Sequence, residues 1–155
     1  MPGGYDTDTV TRLETNLDDL APELLGAVLE KLLAAGALDV WFTPVQMKKN
    51  RPAVQLSVLC DDALIAPLAD LIFTETSAFG LRMEKITRLK LERHFETVAT
   101  EFGEVTIKLG LKSGRVVQTA PEFESCRALS EKTGQPLKAI YQAALNAFST
   151  SARGE

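Results

Sequence analysis

The spacing of apolar residues changes repeatedly along this chain, and these changes constrain the fold more than any other feature. Residues 10–17 alternate as in a strand, and residues 21–36 then carry leucine and valine at the intervals of one helix face. Residues 40–47 and 53–59 are rich in strand formers, and residues 61–76 return to helical spacing. With one more strand after residue 80, the order is βαββαβ. This order predicts a ferredoxin-like α+β sandwich.

The later part of the chain predicts additions to that sandwich. Polar and apolar residues largely alternate over residues 81–100, and residues 105–111 form one further strand. Two helical segments follow at residues 122–132 and 137–148, separated by a Gly-Gln-Pro break. The predicted fold is therefore a ferredoxin-like βαββαβ sandwich with an additional strand and a C-terminal helical pair.

The length of the chain favours one domain. It has 155 residues, of which 45% are hydrophobic, and this is enough for one core of ordinary size. We expect a single domain over residues 10–148, with flexible segments at residues 1–9 and 149–155.

Composition argues against several classes of protein. The formal charge of -4 and the pI near 5.1 disfavour a nucleic-acid-binding protein, because such proteins need a basic face. The sequence has no apolar run of the roughly 18 residues that span a bilayer, and its N-terminus lacks the features of a signal peptide. We expect a cytoplasmic protein that binds neither nucleic acid nor membrane.

The soft metal ligands are few. Cys60 and Cys126 lie far apart in the sequence, and His94 is the only histidine, so a closed zinc site is not predicted. We expect both thiols to be reduced and structural. We expect His94 to be a surface or partly packed residue rather than a catalyst.

Acidic residues cluster where the first strand gives way to the first helix. Glu14, Asp18 and Asp19 lie in this segment. Carboxylates suit Mg2+ or Mn2+, which needs only one or two of them beside the phosphates of a substrate. Aspartates before a helix are also common N-caps. Spacing alone favours the cap, and one carboxylate could cap while the other binds a cation.

Basic residues cluster in the turn between the second and third strands. Lys48, Lys49 and Arg51 could bind phosphates, arginine through its planar fork and lysine as a compact charge. Such residues are more often a solvated hairpin tip, so both interpretations stay open.

A third segment connects the second helix to the fourth strand. Ser77, Gly80 and Arg82 suit a phosphate-binding loop, but the segment matches neither a P-loop nor the GxGxxG motif. In the predicted topology the end of the first strand, the hairpin and this loop share one edge of the sheet. The sequence therefore predicts that the three segments meet.

Longer motifs extend across residues 10–148. They are LETNLDD at 13–19, GAVLEKLL at 26–33, AGALDV at 35–40, FTPVQMKKNRP at 42–52, TETS at 74–77 with GLR at 80–82, and PEFE at 121–124. These motifs resemble the C-terminal region of the LarC-type nickel insertion proteins of nickel-pincer nucleotide biosynthesis.

The resemblance implies a function. Such proteins insert Ni2+ into pyridinium-3,5-bisthiocarboxylic acid mononucleotide, using CTP and a divalent metal, to make the nickel-pincer cofactor of lactate racemase. The matching region is implied to bind CTP with Mn2+ or Mg2+ and to form a homo-oligomer. The site residues so implied are Glu14, Asp18 and Asp19 for the metal, and Lys48, Lys49, Arg51, Ser77, Gly80 and Arg82 for the nucleotide.

The sequence leaves the activity of the isolated chain open. Complete members of that family carry a larger N-terminal domain that this sequence lacks, and no convincing nickel site is visible in it. One alternative is a non-catalytic regulatory or oligomerisation module of ferredoxin-like fold, which predicts no dependence on nucleotide. Another is a nickel chaperone, which would need the imidazole or thiolate ligands that are scarce here.

Overall fold

The computed structural model describes residues 2–151. Within this range the chain forms seven strands, which are β1 (Asp6–Leu17), β2 (Asp39–Met47), β3 (Arg51–Cys60), β4 (Arg82–Lys90), β5 (Glu92–Thr100), β6 (Gly103–Lys112) and β7 (Arg115–Pro121). Its four α-helices are α1 (Pro22–Ala34), α2 (Ile65–Glu75), α3 (Phe123–Thr133) and α4 (Leu137–Ser151).

The first compact unit covers Asp8–Arg88. Its four strands have the order β2-β3-β1-β4, and β3 runs antiparallel to both of its neighbours. This is the ferredoxin-like arrangement, so the predicted fold class is confirmed.

Alternation along the strands explains why one face of this sheet is covered by α1 and α2. Leu13 pairs with Val58 and points into the core, whereas the next residue, Glu14, pairs with Ser57 on the opposite face. Burying a side chain such as leucine contributes roughly 1.5–3 kcal/mol. The buried core consists of Leu13, Leu17, Val28, Leu32, Val40, Leu56, Val58, Cys60, Leu68 and Ile72.

The start of α1 corrects one expectation. The N-cap residue is Ala21, and it makes no side-chain capping hydrogen bond, so neither Asp18 nor Asp19 caps the helix. Pro22 fixes the start, because its ring sets a helical φ and it lacks the N–H that a first-turn residue leaves unpaired. Both aspartates therefore lie before the helix, in the turn, and are free to make other contacts.

The second compact unit consists of the chain up to Thr7 and from Leu89 onward. Its sheet has the order β5-β6-β7, and α3 and α4 pack against it. The buried hydrophobic core of this unit consists of Val98, Val105, Ile107, Leu109, Cys126, Leu129, Ile140 and Ala144. Burial raises the pKa of the Cys126 thiol and, in the first unit, that of Cys60, and both cysteines are free.

This unit has more strands than the one additional strand that was predicted. The alternating run over residues 81–100 is broken at Leu91, so β4 joins the first sheet and β5 joins the second. A single alternating pattern does not show that its two halves have different partners. The strand β7 was also missed, although Ser113 and Gly114, both with positive φ, form the tight turn that typically joins two strands of a hairpin.

The ends of the chain differ from the predicted boundaries. β1 begins at Asp6 rather than near residue 10, and α4 continues to Ser151 rather than ending at residue 148. Met1 and residues 152–155 of the predicted flexible segments lie outside the described residues.

Within residues 2–151, none of the helices combines the length and the apolar character needed to cross a membrane.

Candidate functional site

Three segments of the first unit meet at one edge of its sheet, as the topology predicts. They are the turn after β1, the hairpin between β2 and β3, and the loop from α2 to β4. Together they enclose a cavity of about 480 Å³, lined by Thr15, Asn16, Asp18, Asp19, Met47, Lys48, Ser77, Ala78, Phe79, Gly80 and Arg82. Six of the predicted site residues therefore line one cavity, and these are Asp18, Asp19, Lys48, Ser77, Gly80 and Arg82.

Strand register explains why the hairpin reaches the acidic turn. Val54 of β3 pairs with Leu17, the last residue of β1. Arg51 lies three residues earlier in β3, so it extends past the end of β1 toward Asp18. Its Nη1 donates to Asp18 Oδ2 over 3.0 Å. Arg51 does not line the cavity itself, but it binds a carboxylate that does.

This ion pair is accessible to solvent. The Arg51 side chain is 55% exposed and that of Asp18 is 23% exposed. Pairs of this kind contribute only about 0–1 kcal/mol. A stronger partner for either group could therefore replace the pair at little cost.

The second aspartate contacts the α2–β4 loop. Ser77 Oγ donates a hydrogen bond to Asp19 Oδ1. The same loop is fixed by Thr76, whose Oγ1 donates to Ile72 O over 2.7 Å and accepts from Ala78 N over 3.1 Å. The end of α2 and the acidic turn thus hold the loop from both sides.

Glu14 has a different environment from the two aspartates. It does not line the cavity, and its side chain is only 16% exposed. One carboxylate oxygen lies 3.1 Å from Arg12 Nε and accepts from Ser57 Oγ over 3.3 Å, while the other lies 3.9 Å from Arg82 Nε. Glu14 is therefore placed to orient the two arginines.

Arg82 is hydrogen bonded to a residue of the acidic segment that was not among the predicted site residues. Its Nη2 donates to Asn16 Oδ1 over 2.8 Å. Asn16 alternates with the buried Thr15 and Leu17 on β1, so it lies on the face of the sheet opposite the helices α1 and α2. Its position in the acidic segment was a usable signal, but the amide carries no charge, and it was assigned to neither the metal nor the nucleotide.

The hairpin has an unusual backbone. Lys49 and Asn50 have φ values of 61° and 54°, in the left-handed region that side chains with a Cβ rarely adopt. Asparagine tolerates this region better than lysine does. Lys49 does not line the cavity, but its conformation shapes the turn that connects Lys48, which lines the cavity, to Arg51, which pairs with Asp18.

The acidic groups do not form a closed metal centre. Over the part of the chain that the structure describes, no group of three or more His, Cys, Asp or Glu side chains is placed to hold a metal ion. Mg2+ commonly uses one or two carboxylates together with substrate phosphates. Asp18 and Asp19, which line the same cavity, fit this use of two carboxylates together with phosphates.

His94 belongs to another part of the molecule. It lies on β5 in the second unit, and its Nε2 is 2.9 Å from Glu92 Oε1. The side chain is more than half exposed, in accord with the surface position expected for it.

The fold and this cavity define a class of protein, a ferredoxin-like α+β domain with acidic and basic groups at one edge of its sheet. The chain belongs to the nickel insertion protein family, which it matches over residues 2–141. The resemblance seen in the sequence is therefore confirmed.

Two relatives illustrate the match. The chain is 51% identical over 139 residues to a relative from Pelobacter propionicus that is also named as a nickel insertion protein, with 90% of this chain and 36% of the relative covered. It is 40% identical over 137 residues to the pyridinium-3,5-bisthiocarboxylic acid mononucleotide nickel insertion protein of Thermotoga sp. (strain RQ2), with 88% and 34% covered. The chain thus spans about a third of the length of these relatives.

A solved structure has the same fold. It is that of LarC2, the C-terminal domain of a cyclometallase involved in the synthesis of the NPN cofactor of lactate racemase, in its apo form. The TM-score is 0.85 at 42% identity, and the match covers 93% of this chain and 99% of that one.

The strained hairpin yields a prediction about stability. Replacing Lys49 with glycine removes the Cβ that disfavours a left-handed residue, so we expect the free energy of unfolding to rise by about 0.5–1 kcal/mol. Lys48→Gly is the control, because Lys48 is not among the residues with positive φ. Chemical denaturation measures both, and equal effects of the two substitutions would contradict the account of the strain.

Proposed function

We propose that this chain is the CTP- and divalent-metal-binding domain of a nickel insertion enzyme that makes the nickel-pincer nucleotide cofactor of lactate racemase. One observation carries the proposal: two carboxylates and two cationic side chains line a single cavity at the sheet edge. A metal–triphosphate needs both kinds of group, since the carboxylates bind the cation and the cations bind the phosphates.

Each part of the site has a role in this proposal. Lys48 and Arg82 bind phosphate oxygens, and Ser77 adds a hydroxyl donor. Asp18 and Asp19 hold Mn2+ or Mg2+, while Glu14 positions Arg82 from the face of the sheet opposite the helices. Gly80 leaves space beside the loop, because a Cβ built there meets no atom within 4 Å. When bound, the metal neutralises phosphate charge and polarises the phosphoryl groups.

Arg51 and Asp18 exchange partners on binding. Without ligand they form the half-exposed ion pair. With the metal nucleotide, the carboxylate turns to the cation and the guanidinium to a phosphate, where a charge-assisted hydrogen bond is stronger than the surface pair it replaces. Lys49, at the tip of the same hairpin, adds positive charge to the approach of the triphosphate.

Ni2+ is a substrate in this proposal rather than a resident ion. The name of the Thermotoga relative gives the acceptor as pyridinium-3,5-bisthiocarboxylic acid mononucleotide, and this chain corresponds to only part of such a protein. Insertion is therefore assigned to the longer protein, and nucleotide binding to this domain. The domain is further proposed to form a homo-oligomer whose interfaces complete the nucleotide pocket.

A second candidate is a non-catalytic regulatory or oligomerisation module. It is favoured by the fact that Asp18 and Asp19 already have protein partners, Arg51 and Ser77. In that case the ion pair and the hydrogen bond only fix the loops, and nucleotide has no effect on the protein.

Calorimetry distinguishes the two candidates. We expect CTP to bind in the presence of Mn2+, to bind at least about tenfold more weakly when the metal is removed, and to bind more tightly than ATP. The metal dependence follows because Asp18 and Asp19 repel phosphate unless a cation lies between them. Absence of heat with CTP at any metal concentration would favour the regulatory module.

Substitution of the ion pair separates the roles of its two members. We expect Arg51→Ala to weaken CTP binding by about 10- to 100-fold with or without Mn2+, through loss of a charge-assisted hydrogen bond. Asp18→Asn should weaken binding only when Mn2+ is present. Neither change should unfold the protein, because an exposed pair contributes at most about 1 kcal/mol.

The chain offers a matched control for this test. Lys85 is 54% exposed and pairs with Asp62, away from the cavity lining. Lys85→Ala and Asp62→Asn should leave CTP binding unchanged. If they weaken binding as much as Arg51→Ala and Asp18→Asn do, the effect reflects general charge and not the proposed site.

A further inference from the structure

Phe79 is far more exposed than the other large hydrophobic residues that the structure describes. Its relative exposure is 104%, whereas the next most exposed large hydrophobic side chain among the described residues, that of Met83, is at 65%. Phe79 nevertheless lines the cavity at the sheet edge. A fully exposed phenylalanine in a polar cavity contributes nothing to the core, so its presence needs another explanation.

The exposure does not result from a loosely held loop. The residues on either side are anchored, because Ala78 and Leu81 pack against the core and Ser77 is hydrogen bonded to Asp19. The backbone N–H of Ala78 also donates to Thr76 Oγ1. The loop thus holds Phe79 at the cavity on an anchored backbone.

The lining of the cavity indicates what kind of ligand Phe79 could contact. Charged groups line the cavity at Lys48 and Arg82, whereas Ala78 and Phe79 give it apolar lining. A Cβ at Gly80 would meet no atom within 4 Å, so a flat group can lie along the loop beside the ring. A ligand with an anionic end and a planar aromatic end matches this division.

We propose that Phe79 stacks on the base of the nucleotide whose phosphates Lys48 and Arg82 bind. This inference rests on the proposed function, and it assigns the base end of the same site. Aromatic stacking tolerates any base, because every base has a π-face. Phe79 therefore contributes affinity for the nucleoside part, and the preference for cytosine comes from other groups.

The test compares a nucleotide with its phosphate part alone. We expect Phe79→Ala to weaken binding of Mn2+–CTP by about 5- to 100-fold and to weaken Mn2+–ATP by the same factor. Binding of Mn2+–tripolyphosphate, which has no base, should not change. Phe79→Trp should retain CTP binding, while Phe79→Leu, which keeps apolar area without a π-face, should lose most of it.

Each outcome decides between explanations. Equal loss of CTP and tripolyphosphate binding, or no loss of either, would overturn the stacking role while leaving the proposed function intact. If the unaltered chain binds neither ligand, the proposed function fails and the stacking role fails with it. If Phe79→Ala changes only the mass of the assembly in analytical ultracentrifugation, the ring contacts a second copy of the chain and the inference is wrong.

Discussion

The antiparallel pairing of β3 between β1 and β2 is the constraint on which the rest of the site depends. Val54 pairs with Leu17 on one side and with Pro44 on the other, and this double pairing fixes how far the hairpin extends beyond the end of β1. A slip of one residue would turn every side chain of β3 to the other face. It would also move Arg51 away from Asp18 and Leu56 out of the core, so core packing and site geometry are set by the same register.

The charged groups at this edge balance one another without a ligand. Arg51 is held by Asp18, and Arg82 by Asn16 and Glu14. Groups held in this way lose little side-chain freedom when a ligand binds, which favours affinity. Because the pairs are partly exposed and weak, they do not prevent the exchange of partners that a metal nucleotide requires. These pairs therefore order the charged side chains and still allow a metal nucleotide to bind them.

Much of the fold follows from the sequence, because periodicity reports which face of each element is buried. The helix α1 and the hairpin between β2 and β3 were predicted within a few residues, and the ferredoxin-like order of the sheet followed from them. What periodicity does not report is the partner of a strand, and for that reason the break at Leu91 and the strand β7 were missed.

The candidate site was predictable to a similar degree. Topology brought the acidic turn, the basic hairpin and the Ser77 loop to one edge, because that result needs only the strand order. The contacts within the edge depend on register and on side-chain direction, which the sequence does not show. Asp18 was expected as a cap, but Pro22 starts the helix later. Asn16 and Phe79 lie in segments that were predicted to meet, but neither was assigned to the site, since neither side chain carries a charge.

Paramagnetic broadening by Mn2+ tests the proposed location of the metal nucleotide most directly. Backbone amide NMR spectra of the chain would be recorded with Mg2+–CTP. They would then be recorded again after Mn2+ has replaced a small fraction of the Mg2+, and the two sets compared. We expect broadening to appear first at Asp18, Asp19, Lys48 and the loop from Ser77 to Gly80. Broadening centred on other carboxylates, such as the exposed Glu124 and Glu131 of α3, would contradict it.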